Sequence, residues 1–284
     1  MVPVMVRAGD ESHSGTDPRR SARQAADAAG ERLGSARVEA GERLGAARDA
    51  AGKQMAAARE TAAIAAHAAA HKLSQKPRLR GVSHQWAFFL SLGAGAALVL
   101  AASGPRAVIA MSIYAFSLSA MLGTSALYHR VTWTPEVRRW MRRLDHTMIF
   151  VFIAGTYTPF ALLVMHGTLA NVVLIVVWAT AAAGMVLNLV WISAPYWFTA
   201  VVYLSTGWVA IVTLPQLWDE IGPVGVGMIA LGGALYTAGA IVYARRKPDP
   251  RPQVFGYHEI FHVLVIAAAA VQYAAVAIYA LPAG

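Results

Sequence analysis

Between His146 and Trp218 the chain contains no Asp, Glu, Lys or Arg. One helical span needs about 20 apolar residues, so this stretch alone has room for three. A water-soluble domain of this size has no use for such a run, because its surface must carry charge. Composition agrees: the chain is 57% hydrophobic and 14% charged, whereas soluble domains are nearer one quarter charged. Backbone polar groups in lipid must be satisfied within the segment, so the spans are helices. A transmembrane barrel would need alternating strands of about ten residues, and the sequence has none. The expected fold is an all-α integral membrane protein.

Hydropathy predicts seven spans: 86–103, 107–128, 144–165, 169–191, 196–214, 222–244 and 257–281. The basic residues set the orientation. Arg78 and Arg80 precede the first span; Arg138, Arg139, Arg142 and Arg143 lie between the second and third; Arg245, Arg246 and Lys247 lie between the sixth and seventh. With seven spans these segments share one side, the cytoplasm. This puts the N-terminus inside and the C-terminus outside, in a multi-pass protein of the cell membrane surrounded by lipid. The formal charge of +9 follows from this topology and the N-terminal extension, so no nucleic-acid partner is expected. There is no cysteine, which excludes disulfides and thiolate ligands.

Residues 1–81 form a separate, low-complexity cytoplasmic extension, and 82–284 the membrane domain. The first apolar stretch, Met1 to Val6, is too short for a signal peptide, and residues 1–20 are expected to be disordered. From Ala29 an 11-residue period follows, AGERLGSARVE, AGERLGAARDA, AGKQMAAARET. It aligns Leu33, Leu44 and Met55 on one side of a helix. Either this is a surface helix that lies on a membrane or a partner, or it is an Ala-rich, partly helical tail. His67 and His71 in it read as solvated.

Ionisable groups near lipid are costly, and here they are few: His129, Asp145, His146, His258, Glu259 and His262. In the expected topology all six lie near the cytoplasmic boundary. His258 and His262 are four apart and project from one helix face. With His129 they make a three-histidine set, which leaves zinc an open coordination position. Ser125 faces the same way as His129, and Asp145 lies close enough to serve as a hydrogen-bonding partner. His–Asp pairing between helices is the plainer alternative. His146 points away from Asp145 and reads as a packing residue, and His166 as an interface residue at the opposite end. HEIFH at 258–262 also fits the His-Glu-x-x-His pattern of zinc proteases, with Glu259 as base. No acid or histidine follows His262 to supply a third ligand for that arrangement. Thr158-Pro159 should kink its helix and open a cavity, and Gly232, Gly233 and Gly239 should permit close helix packing.

SALYHR at 125–130, LDHTMIFVFIAGTYTP at 144–159 and FGYHEIFH at 255–262 together resemble the hemolysin III family. That family is grouped with the progestin and adipoQ receptors, including the adiponectin receptors. The resemblance covers about residues 82–284. It implies zinc held by His129, His258 and His262, with Asp145 and Ser125 at the water. In the wider superfamily, which includes alkaline ceramidases, this arrangement is associated with lipid amide hydrolysis. Asp145 would then be the general base, and Ser125 would orient the water or donate to the oxyanion. Bacterial members are named as hemolysins, and a role in membrane lipid homeostasis is also proposed for the family. The expectations are therefore a zinc-dependent hydrolase of lipid amides or esters, a non-enzymatic membrane sensor with structural zinc, or a pore-forming cytolysin. Charged groups confined to one end speak against a pore.

Overall fold

The computed structural model describes residues 18–74, 77–191 and 193–284; the side chains of Pro18 and of residues 67–74 lie outside the description. The disorder expected at residues 1–20 thus falls almost wholly on undescribed residues, as do the side chains of His67 and His71. The chain parts into two units, Met1–Lys72 and Leu73–Gly284.

In the first unit a single helix, α1 (Pro18–Ser74), takes in all three repeats. Its described side chains are exposed, including Leu33, Leu44 and Met55. Ala, Glu and Arg favour helix strongly enough to carry the five repeat glycines, each of which costs nearly 1 kcal/mol.

The second unit is all-helical among the described residues: α2 (Val82–Ala101), α3 (Gly104–Arg130), α4 (Pro135–Pro159), α5 (Gly167–Val190), α6 (Tyr196–Gly207), α7 (Leu214–Arg245) and α8 (Tyr257–Ala275). Six helical stretches among them are long and apolar enough to cross a membrane. One is the 50-residue run Tyr196–Arg245, which joins α6 to α7. A straight helix of that length would measure about 75 Å. Instead the run folds back, because the Tyr196 and Tyr243 rings lie 5.1 Å apart. Its irregular middle comprises a 3-10 segment, Trp208–Thr213, and a non-helical Gly222.

Within the second unit, helices consecutive in sequence are neighbours, and α8 packs against both α7 and α2, which closes the bundle. α4 is the most buried of the long apolar helices. Its N-terminal end starts nine residues before the apolar span, since Pro135 opens it and Thr134 Oγ1 accepts from Val137 N at 3.4 Å. Hydropathy marks where lipid begins, whereas capping marks where the helix begins. α2 likewise starts at Val82, four residues before the span expected from Trp86.

After Thr158-Pro159 the helix widens into a π turn, Phe160–Val164. Proline supplies no N–H for the ladder, and Thr158 Oγ1 donates to Ala154 O and accepts from Trp178 Nε1. Of the three glycines expected to allow close packing, Gly232 is pressed against Gln272 and Gly239 touches Phe261 and Leu264, but Gly233 borders open space. A tighter contact lies elsewhere, where Gly184 of α5 abuts the Phe150 ring of α4. Gly184→Ala should therefore destabilise the protein by about 1–3 kcal/mol, read as a lower unfolding midpoint in detergent. Gly233→Ala, with open space for the methyl inside α7, should leave that midpoint unchanged or raise it slightly.

Candidate metal centre

The antiparallel order of α2, α3 and α4, together with α8 closing on α2, collects four helix ends at one end of the bundle. His129 is the penultimate residue of α3, and His258 and His262 lie in the first two turns of α8. Each offers a ring nitrogen, and these nitrogens all lie within 4.8 Å of one another. His129 Nε2 and His258 Nε2 are 3.1 Å apart. Two imidazoles on a tetrahedral zinc, each at about 2.0–2.1 Å, have nitrogens about 3.3 Å apart. The three rings are fanned, with interplanar angles of 70° between His129 and His258, 59° between His129 and His262, and 60° between His258 and His262. His262 Nδ1 is buried with no hydrogen-bond partner among the described residues. The donor set, its burial and its fan all fit a three-histidine metal site.

The carboxylate of Asp145, in α4, stands 3.8 Å from His129 Nε2. Ser125, one turn before His129 on α3, is buried and within reach for its hydroxyl to donate to that carboxylate. Ser125, Asp145, His258 and His262 line the polar end of a cavity of about 200 Å³. From Asp145 its lining follows α4 past Ile149, Phe152 and Thr156 to Phe160 and Met165, so its walls are apolar over most of their length. His146 lines it too, and its backbone carbonyl accepts from Tyr203 OH at 3.1 Å. His166 is the N-cap residue of α5, beyond the π turn that follows α4, with Nδ1 3.2 Å from Glu220 Oε1.

Glu259 is not available to the centre. One carboxylate oxygen accepts from Arg80 Nε, and the other accepts from Gly256 N at 2.8 Å, closing the first turn of α8. Asp249 Oδ1 accepts from Tyr257 N at 3.0 Å in the same turn. The segment before α2 is also tied to this loop, through Arg78 N to Gln253 O and Leu79 N to Val254 O. His258 is thus fixed from both sides. Arg80, which the sequence marks only as a topological charge, is a structural partner of α8. This removes the premise of the protease reading, which requires Glu259 to face the metal.

A fourth histidine stands here without having been anticipated. His84, in the first turn of α2, is 2% exposed and stacks on His262, with ring centroids 3.7 Å apart. Its depth in the first span matches that of the others. Starting the span at Trp86 leaves it outside, and helix capping at Gly81 brings it in.

Comparison with known proteins follows the same outline. A profile of the family described as Haemolysin-III related matches residues 73–273. Hemolysin-3 of Bacillus cereus is 29% identical over 204 residues, which is 71% of this chain and 90% of that protein. The Hemolysin-3 homolog of Bacillus subtilis (strain 168) is 30% identical over 61% of this chain and 78% of its own length. Human Monocyte to macrophage differentiation factor is 28% identical over 58% of this chain and 67% of its own. The matched region contains the histidine trio, Ser125 and Asp145, and the chain is a multi-pass membrane protein that belongs to the hemolysin-III-related family.

Proposed function

We propose that the protein is a zinc-dependent hydrolase of lipid amide or ester bonds. The observation that carries this reading is the clustered trio of His129, His258 and His262, of which His258 and His262 line the polar end of a largely apolar cavity together with Asp145 and Ser125. The apolar walls suit an acyl chain, and the polar end suits the bond to be cut. Zinc in such a site supplies Lewis acidity and lowers the pKa of water. Asp145 takes the proton as water attacks and returns it to the leaving group. Ser125 turns its single proton from the Asp145 carboxylate to the developing oxyanion once Asp145 has taken the proton from water. Burial strengthens these interactions by excluding bulk water.

The topology that accompanies this reading has seven spans, the N-terminus in the cytoplasm and the C-terminus outside. The fold-back within Tyr196–Arg245 supports counting it as two spans, and the basic residues support a cytoplasmic metal end. Residues 1–81 then form a cytoplasmic extension to the membrane domain of 82–284. The name hemolysin carried by the Bacillus relatives raises cytolysis as a second reading. A pore needs a polar lumen along its length, and the apolar walls of this cavity argue against one. A purely structural zinc is less suited than a catalytic one, since a closed site needs no cavity at its open side.

The test is metal analysis of the purified protein, joined to lipid mass spectrometry of cells carrying wild type, Asp145→Asn or His262→Ala. Wild type should carry one zinc per chain and His262→Ala little. Asp145→Asn should keep the metal while turnover falls by about 10²–10⁴-fold, so that an amide- or ester-linked lipid accumulates. Full zinc in Asp145→Asn with no lipid change would establish the structural role instead.

A further inference from the structure

His84 presents a physical puzzle. Its ring is almost completely buried, yet neither nitrogen makes a well-formed hydrogen bond among the described residues, although the ring approaches the backbone of His262. Buried polar atoms left unpaired cost free energy, and a neutral imidazole brings one donor and one acceptor. If stacking were its whole task, a phenylalanine would serve without that cost.

Ligation of the same ion does not resolve the puzzle. The His84 and His262 rings lie within 7° of parallel, so their in-plane lone pairs do not converge on one point about 2 Å from both. The fanned trio does converge, with interplanar angles of 59° to 70°. His84 also lines the cavity beside Ser125 and Asp145. The ring therefore stands at the wall of the space that an incoming polar group must enter, with its two nitrogens covered by neighbouring atoms.

Resting on the metal reading above, we propose that His84 is a hydrogen-bonding residue for the anion or oxyanion accommodated at the open side of the trio. Stacking on His262 seats the ring, and the cavity occupant completes its hydrogen bonding. The polar end then has donors on two sides of the occupant, with Ser125 of α3 on one and His84 of α2 on the other. Among the described residues Asp145 remains the only carboxylate lining the cavity.

The test separates stack from hydrogen bond. The full chain in detergent is loaded with cobalt(II), and both the cobalt affinity and azide binding are read from the visible spectrum. His84→Phe keeps the stack and removes the nitrogens. It should hold cobalt within about threefold of wild type and bind azide about tenfold more weakly, the loss of one hydrogen bond to a charged group. His84→Ala should weaken both, and His84→Gln should recover part of the azide affinity. Unaltered azide binding in cobalt-loaded His84→Phe would overturn the proposal while leaving the metal reading intact. Failure of His84→Phe to hold cobalt would also overturn it, since aromatic contact would then not be what seats His262. No cobalt uptake by wild type would overturn the metal reading and this proposal together.

Discussion

Glu259→Gln should lower the unfolding midpoint of the detergent-purified protein by roughly 6–12 °C while leaving its metal content unchanged. The carboxylate is 2% exposed and paired with Arg80, whose side chain is 21% exposed. Removing one partner of a buried pair leaves the other charge without compensation, at about 3 kcal/mol or more. In a protein of this size each kcal/mol shifts the midpoint by about 2–4 °C. The amide still accepts from Gly256 N, so the first turn of α8 and the histidines on it should stay in place. The zinc-protease reading makes the opposite forecast, a stable, metal-loaded and inactive protein. An unchanged midpoint with abolished turnover would return Glu259 to the role of a base.

Gly81→Ala should weaken metal binding at least tenfold, measured by competition with a chelator. Gly81 precedes α2 with φ 78° and ψ −2°, a left-handed conformation that costs an L-residue about 1–2 kcal/mol. Its neighbourhood adds a second penalty, because a Cβ there would stand 2.6 Å from the Cβ of His129. Either the α2 lead or His129 must give way, and the lead is tied to Gln253 and Val254 through backbone hydrogen bonds. The displacement therefore falls on His129. Gly104 provides the control: it has φ 80° but open space around its missing Cβ. Gly104→Ala should cost only the conformational penalty and leave metal affinity as in wild type. Equal metal affinity in both variants would mean that the contact with His129 is not what holds that ring.

Much of the site was legible from spacing. His258 and His262 are four residues apart, and their rings lie 4.6 Å apart on one face of α8. Ser125 and His129 share a face of α3 for the same reason. The uncharged run from His146 to Trp218 announced lipid before any contact was known, because charge at such depth costs several kcal/mol. Hydropathy also placed each candidate site residue near the end of a span, which is why residues 129, 145, 258 and 262 could be grouped at all. The short helix starts were less legible. Capping by Thr134 and the left-handed Gly81 place the beginnings of α4 and α2 several residues outside the apolar spans.

What the sequence by itself determined, then, is the solvent, the helical class, the grouping of His129, Asp145, His258 and His262 near span ends and the face from which each projects. Those are properties of one helix in lipid, fixed by a 1.5 Å rise and 3.6 residues per turn. Which helices touch was decided only by the tertiary structure, because closure of α8 on α2 depends on how whole surfaces pack. That closure turned Glu259 from a candidate base into the partner of Arg80, and it set His84 against His262. Periodicity along one chain segment carries no information about a ring 178 residues away, and a stack 3.7 Å deep exists only once the bundle has closed.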